Sequence, residues 1–405
     1  MSSSSAVTLI EPLAPDSMLS KHFGRGLINY FSGTKINRLS FLRGDHTFLS
    51  AAFTHPETQF VLLKDLVPAV KDSASLALFK HTDVAPLTGK NPFETPEDAV
   101  IKAYDSTKDK PLVLFLGVEE NEGAGFEYKT YRGQPWFAVD VTPRGTYKEA
   151  AQSIIDYVGA SGIEFMKNPR AMSLKATDAA TYAQARSLLD WNARNQFCSG
   201  CGGSTFSVQA GYKRVCPPTD FLGRSEATTR SACHTRVGVA NMCFPRYDPV
   251  MIAAVISADG KRVLLGRQAR YPKKWYSTLA GFVEQGESVE DAVIREVWEE
   301  SGVRVGRVVL HSTQPWPYPA SLMIGAVAQA LPGGEGINLS HDAELEDAKW
   351  YSFEEVRKAL KIGTFGLDDA TQQDYDGLKP PPHTAIAHQL LAAVVAGFGN
   401  PTASI

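Results

Sequence analysis

The sequence predicts an α/β protein in three parts: an N-terminal α/β domain over residues 1–190, a metal-binding ribbon over 194–247 and an α/β catalytic domain over 248–395. Three observations carry this reading. Before residue 190, short apolar runs bounded by turn residues alternate with helix-spaced segments. All five cysteines, Cys198, Cys201, Cys216, Cys233 and Cys243, fall within 46 residues. From Asp248 onward a regular succession of strand, turn, strand and helix takes over. A chain of 405 residues suits two to four domains of roughly 100–200 residues each, and 43% hydrophobic with 21% charged residues is enough apolar surface for ordinary cores.

In the first part, Leu112–Leu116 and Trp136–Val141 read as strands, and Thr146–Val158 and Thr177–Trp191 have helical spacing. This part carries no motif, and the chain reads as free of internal repeats. Residues 197–249 are rich in Gly, Ser, Thr, Arg and Cys with little apolar periodicity, so something other than burial must hold them. In the last part, VMIAAVIS is an apolar strand, Asp259-Gly260 a hairpin turn and RVLLGR the returning strand. Ser288 is expected to cap a helix over Val289–Ser301, with Asp291 as its capping-box partner and Gly302 as the C-terminal stop. Strands near Leu322–Ala330 and Lys349–Ser352 and helices near Phe353–Leu360 and Thr384–Val395 follow.

Charge and hydropathy exclude several functions. With 41 Lys+Arg against 44 Asp+Glu the net charge is −3, too little positive charge to hold nucleic acid mainly through its phosphates, though a local basic patch is compatible with it. No apolar run reaches 18 residues and the N-terminus lacks a basic-then-apolar leader, so no membrane partner and a cytoplasmic location are expected. The terminal Ala403-Ser404-Ile405 is a poor Ser-Lys-Leu type signal, which leaves the peroxisome as the lesser alternative. An odd number of clustered cysteines argues for metal rather than disulfides.

The chemistry concentrates on the helix after Ser288. Val289, Ala292, Val293 and Val297 form its apolar stripe. At about 100° per residue, Glu296, Glu299 and Glu300 then share one arc of about 100°. Three crowded carboxylates repel one another unless a divalent cation with oxygen ligands joins them, and Mg2+ or Mn2+ is the natural candidate. Glu299 and Glu300 are both candidate bases, and Arg295 is placed to orient carboxylates.

Gly281, Glu287, Arg295, Glu296, Val297, Glu299, Glu300, Gly302 and Val303 fit Gly-x5-Glu-x7-Arg-Glu-U-x-Glu-Glu-x-Gly-U, where U is a bulky aliphatic residue, at every fixed position. This segment resembles the Nudix box. The resemblance implies an α/β/α sandwich around a mixed sheet, divalent cations on Glu296, Glu299 and Glu300, and cleavage of a nucleoside diphosphate linked to another group.

Downstream, Thr313–Ser321 (TQPWPYPAS) reads as a loop stiffened by Pro315, Pro317 and Pro319, with Trp316 and Tyr318 as stacking platforms and Gln314 and Ser321 as hydrogen-bonding groups. It closely resembles the SQPWPFPxS signature of the NADH pyrophosphatase subfamily, differing at Thr313 and Tyr318. That resemblance implies hydrolysis of NADH or NAD+ to NMNH or NMN and AMP, removal of NAD caps from RNA in several members, and a homodimer. It also implies Glu344 as a further metal ligand and Phe244, Ala280, Phe282 and Ala387 as substrate contacts.

Cys198 and Cys201 form a Cys-x2-Cys knuckle able to supply two zinc ligands from one turn, and Cys216 follows as a third. The spacing leaves the fourth open among Cys233, His234 and Cys243. The long interval before Cys233 resembles that of fungal members of the subfamily, which implies Cys233. Zinc in this reading is structural. Two other functions compete with the first: a broader ADP-ribose or dinucleoside polyphosphate hydrolase, and a zinc-ribbon RNA-binding protein in which the Nudix domain is only a scaffold.

Overall fold

Phe60–Leu63, an apolar run with every side chain buried, forms a strand covered on both faces, and the first sheet is built around it. The computed structural model describes residues 7–12, 17, 18, 20, 26–121, 123, 125–342, 344–362 and 376–397. The terminal Ala403-Ser404-Ile405 lies outside them. The chain forms two compact units, one of Thr34–Arg246 with Pro317–Ala320, the other of Met1–Gly33, Tyr247–Trp316 and Ser321–Ile405.

The Thr34–Arg246 unit contains strands β1 (Ile36–Asn37), β2 (Gln59–Lys64), β3 (Val67–Asp72), β4 (Ser75–Leu76), β5 (Val113–Glu120), β6 (Phe126–Tyr128), β7 (Tyr131–Asp140) and β8 (Glu164–Phe165). They form one sheet of order β1-β5-β7-β2-β3-β4, with β6 beside β7 and β8 beside β3. Its helices are α1 (His46–Thr54), α2 (His81–Thr88), α3 (Glu97–Lys102), α4 (Lys148–Ala160) and α5 (Ala176–Arg194). Asp45 caps α1 by accepting the N–H groups of Thr47 and Phe48, both at 3.1 Å, which turns Phe48 and Phe53 into an aromatic core with Phe60, Phe115 and Phe137. Beyond α5, the ribbon is two small hairpins, β9 (Phe206–Val208) with β10 (Lys213–Val215), and β11 (Thr219–Asp220) with β12 (Thr228–Thr229).

The second unit holds β13 (Asp248–Ile256), β14 (Arg262–Arg267), β15 (Leu279–Phe282), β16 (Val305–Trp316), β17 (Ser321–Ala330) and β18 (Asp347–Ser352), with helices α6 (Val289–Ser301), α7 (Phe353–Ile362) and α8 (Ile386–Gly397). The sheet order is β16-β17-β13-β14-β18, with β15 antiparallel to β13. Alternation along β13 divides the core. Met251, Ala253 and Val255 face Val293 and Val297 of α6, while Ile252 and Ala254 face Leu390 and Val394 of α8. Helices on both faces of a mixed sheet make the α/β/α sandwich that the box resemblance implies. The Asp259-Gly260 turn joins antiparallel β13 and β14, with Gly260 at φ 67°. Among the described residues no helix is long and apolar enough to cross a membrane.

The two sheets share one pairing pattern, and this overturns the reading of a chain without repeats. In the first, β5 is antiparallel to β7, β7 parallel to β2, and β2 antiparallel to β3. In the second, β16 is antiparallel to β17, β17 parallel to β13, and β13 antiparallel to β14. Strand pairing is set by backbone geometry and an alternating apolar pattern, so it persists after side-chain identity has been lost.

Candidate active site and metal centre

Helix α6 begins as its sequence requires. Ser288 Oγ accepts the Asp291 N–H at 3.1 Å, and the Asp291 carboxylate accepts the Ser288 N–H at 3.2 Å. Together these cap two otherwise unpaired N–H groups, worth about 1 kcal/mol. At the far end Gly302 turns left-handed at φ 73° and its N–H reaches Trp298 O at 2.7 Å. Between these stops, Glu296, Glu299 and Glu300 are carried on one side of the helix.

Arg295 fixes the first two. Its Nη1 donates to Glu296 and Glu299, each at 2.9 Å, while Nε and Nη2 grip Glu287 at 2.6 and 2.9 Å and Nη2 also reaches Phe282 O at 2.8 Å. The hydrogen bonds from Arg295 hold the Glu287 carboxyl down at about 2, and Glu287 in turn raises the guanidinium pKa. Gly281 makes room for this arrangement: a Cβ there would lie 2.0 Å from the Glu296 carboxyl carbon. Glu287 and Gly281 were box positions in the sequence, but their tasks become visible only through these contacts.

Glu300 is 3% exposed. Burial, followed by the charges of Glu344, Glu296, Asp342 and Glu299, pushes its carboxyl up to about 9. Burial also raises Glu296. Glu344, remote in sequence, therefore comes close enough to act on both, and accepts a hydrogen bond from Gln268 at 2.5 Å. Asp342 joins the same field without having been singled out in the sequence; the acidic run His341–Asp347 was the available signal. Carboxylates gathered around buried Glu300, offering only oxygen donors, suit a hard divalent cation, which would favour the charged form of Glu300.

The substrate residues fare unequally. Phe282, 62% exposed, stands at the end of β15 beside Gly281, and Ala280 is partly buried on the same strand. The Thr313–Ser321 segment is not a loop throughout: Thr313–Trp316 is the end of β16, and Gln314, Pro315 and Trp316 oppose Met323, Leu322 and Ser321 of β17. Gln314 is corrected as a substrate group. It is 0% exposed, donates to Tyr30 O and Thr384 O at 3.1 and 2.8 Å, and accepts the Ile386 N–H at 2.9 Å. It thus closes the start of α8 onto β16.

Tyr318 is likewise not an open platform within its unit. It is 9% exposed, its hydroxyl donates to Pro169 O at 2.6 Å, and Arg170 and Arg186 stand over its ring. Pro317 and Pro319 present their carbonyls to Arg186. Trp316 meets Phe31 edge-on at 6.0 Å between ring centroids. Ser321 is buried, Ala387 sits in the apolar layer beneath α8, and Phe244 belongs to the Thr34–Arg246 unit with Lys213 5.5 Å over its ring.

The cysteine group lies in the Thr34–Arg246 unit. The Sγ atoms of Cys198, Cys201, Cys216 and Cys233 all fall within 4.8 Å of one another, with Cys198 3.7 Å from Cys233 and Cys201 3.5 Å from Cys216. Sulfurs tetrahedrally placed about 2.3 Å from zinc would be about 3.8 Å apart, so the donor set and spacing fit that ion. Cys243 and His234 stay outside the group. Against the upward push of burial, hydrogen bonds from Thr235 and the backbone of Gly200 and Cys201 bring the Cys198 thiol down to about 6. Burial instead pushes Cys216 up to about 12, although Arg236 donates to its sulfur at 3.2 Å. A cation would favour the thiolate form of all four.

Comparison with known proteins places both sites in one family. Residues 247–370 match the NUDIX domain, 57–191 the NADH pyrophosphatase-like rudimentary NUDIX domain and 193–220 the NADH pyrophosphatase zinc ribbon domain. The ribbon match ends before Cys233, which the fold nevertheless brings to the other three thiols. The chain is 36% identical over 374 residues to the NAD-capped RNA hydrolase of Schizosaccharomyces pombe, spanning 90% of this chain and 92% of that one. It is 36% identical over 371 residues to NAD-capped RNA hydrolase NUDT12 of Homo sapiens, spanning 90% and 72%. With NAD(P)H pyrophosphatase NUDT13, mitochondrial, of the same organism, the identity is 37% over 365 residues, spanning 85% and 92%. Matching along nearly its whole length, and with the box carboxylates gathered on α6, the chain belongs to the Nudix hydrolases, a family of enzymes that use divalent metal, in the branch with a rudimentary Nudix domain and a zinc ribbon.

Proposed function

We propose that this chain hydrolyses the diphosphate linkage of NADH and NAD+ to NMNH or NMN and AMP, and removes NAD caps from RNA by the same reaction. The observation that carries the reading is the convergence of Glu344 on the α6 carboxylates, a charge cluster suited to a diphosphate only when cations lie between them. Mg2+ or Mn2+ held by Glu296, Glu299, Glu300 and Glu344 would polarise the phosphoryl oxygens and acidify the attacking water. The chain's own groups do the rest. Arg295 holds Glu296 and Glu299 in place, and exposed Phe282 offers a face for a base. The water oxygen bonds to one phosphorus, the bridging P–O bond breaks, and the two protons of water pass to the two phosphate products. Zinc on Cys198, Cys201, Cys216 and Cys233 would hold the ribbon, and a homodimer is part of the same reading.

The commitment of Gln314 and Tyr318 to internal bonds favours a second reading, a broader hydrolase that also takes ADP-ribose or dinucleoside polyphosphates. Product analysis with NADH, NAD+, ADP-ribose and NAD-capped RNA in Mg2+ or Mn2+ separates them. NMNH with AMP from NADH is expected, and equal rates on ADP-ribose would favour the broader enzyme. Release of nicotinamide, or no hydrolysis at all, would overturn both.

A further inference from the structure

Glu94–Lys102 (ETPEDAVIK) repeats Glu287–Arg295 (ESVEDAVIR) with six identities in nine, at an offset of 193 residues. Both segments precede the antiparallel strand pair that runs back parallel to the first hairpin of its sheet. The first copy thus keeps the start of a box helix. It loses the metal ligands: at the same offset, Glu296, Glu299 and Glu300 become Ala103, Ser106 and Thr107.

A cavity of about 560 Å³ opens at the end of this truncated helix, lined by Glu97, Val100, Tyr104 and Ser106 from the copy and by residues 204–211 and Arg214 of the ribbon. Every lining residue lies in the Thr34–Arg246 unit. That volume is in the range of pockets that hold a small molecule.

Its charge is the reverse of the catalytic site. Arg43, Lys108, Lys110, Arg144 and Arg214 line it against Glu97, Asp109 and Asp140. Lys108 pairs with Asp105 at 3.3 Å and Arg144 with Asp140 at 3.9 Å. Glu97 accepts the Gln209 N–H at 2.7 Å. Among the described residues no carboxylate lies within ion-pair distance of Arg43, Lys110 or Arg214.

Arg214 donates only to neutral groups, Thr205 Oγ1 at 2.7 Å, Thr205 O at 2.8 Å and Asn192 Oδ1 at 3.2 Å, and burial lowers its pKa to about 10. Arg43 lies 3.3 Å over the Tyr212 ring, with its Nε buried and without a hydrogen-bond partner, as is Ser207 Oγ. Half-buried cations held by neutral groups are costly unless an anion completes them. Aromatic faces stand beside them: Phe206, 5.7 Å from Tyr104 and beneath Lys110 Nζ at 5.7 Å, and Phe197, which is 68% exposed.

We propose that this degenerate Nudix copy and the ribbon together form a second site that binds a nucleoside phosphate without hydrolysing it, its phosphate on Arg43, Lys110 and Arg214 and its base against Phe206 or Phe197. Cations contact phosphate directly, so this site needs no added divalent metal, unlike the carboxylate cluster. The proposal does not depend on which dinucleotide the catalytic site cleaves.

The test is equilibrium binding of AMP to the full chain at low salt without added Mg2+ or Mn2+, with inorganic phosphate and a 5′-phosphorylated oligoribonucleotide as comparison probes. One equivalent of AMP should bind, with affinity weakened about tenfold or more by Arg214→Met. Lys110→Gln and Phe197→Ala, both at exposed positions, should each weaken it with melting temperature unchanged, which keeps the test decisive if Arg214→Met fails to fold. Trp316→Ala should leave this binding intact. Binding that disappears in Trp316→Ala but survives Lys110→Gln and Phe197→Ala would overturn the proposal. So would equal affinity for phosphate and AMP, or binding of the oligoribonucleotide alone.

Discussion

Glu94–Lys102 and Glu287–Arg295 start alike and then diverge: α3 stops at Lys102, whereas α6 continues to Ser301. The extra turns carry Glu296, Glu299 and Glu300, a set that is unfavourable on a bare helix and becomes favourable with a cation and with Arg295 across it. Where those carboxylates are missing, the same sheet pattern instead supports a cavity rich in cations. The sheet is therefore a scaffold, and one additional stretch of helix decides whether the site faces phosphate through metal or through guanidinium.

Breaking the catalytic helix should give the largest effect. Glu300→Gln is expected to lower NADH turnover by at least about a hundredfold, since it removes a charged metal ligand at constant shape. Its melting temperature should hold or rise, because a buried carboxyl pushed up to about 9 is replaced by a neutral amide. The reciprocal change, Ala103→Glu in the degenerate copy, should leave turnover within about twofold. Turnover by Glu300→Gln near that of the parent would end the equation of helix length with catalysis.

Zinc provides the next contrast, since the small ribbon gathers four thiols where the two sheets are held by apolar layers. Cys233→Ser should remove bound zinc and lower the melting temperature by on the order of 10 °C, whereas Cys243→Ser should retain the metal. Elemental analysis of both proteins checks this, and a parent without zinc would refute it.

Trp316→Ala asks whether the end of β16 reads the substrate or only packs against Phe31. A loss of about 5-fold to 150-fold in kcat/KM for NADH, exceeding that for a small diphosphate without nicotinamide, is expected from one lost stacking contact. Equal losses on both, with a large fall in melting temperature, would assign it to packing.

The smallest expected effect concerns acid. Asp105, at the degenerate position of Trp298, accepts from the Thr107 hydroxyl at 2.7 Å and from the Gly223 N–H at 2.9 Å. These bonds, that of Thr107 foremost, bring its carboxyl from 3.8 down to about 2. A depressed carboxyl contributes stability above the unfolded value that is lost as pH falls toward the folded one. The urea midpoint of the parent should therefore drop between pH 5 and pH 2 more than that of Asp105→Asn. Identical slopes would remove Asp105 from the account.

The sequence by itself determined the α6 site, because its cap, apolar stripe, three carboxylates and stop lie within one helix whose period is known in advance. It determined β13, β14, β17 and β18 in the same way, each apolar run being bounded by turn residues, but not β15 or β16, whose end at Thr313–Trp316 read as part of a proline-stiffened loop. Only the tertiary structure decided the role of Gln314, whose partners Tyr30 and Thr384 lie 284 and 70 residues away. It also separated Cys233 from Cys243 and His234, since ligand choice depends on where a long insertion folds back. The duplication of the sheet was hidden for a related reason: strand pairing is a relation between distant segments, and the nine-residue likeness of Glu94–Lys102 to Glu287–Arg295 is too short to stand out in a chain that read as free of repeats. Local periodicity can be read from a chain before it folds, but a hydrogen bond, a thiol cluster or a cavity exists only after distant residues have been brought together.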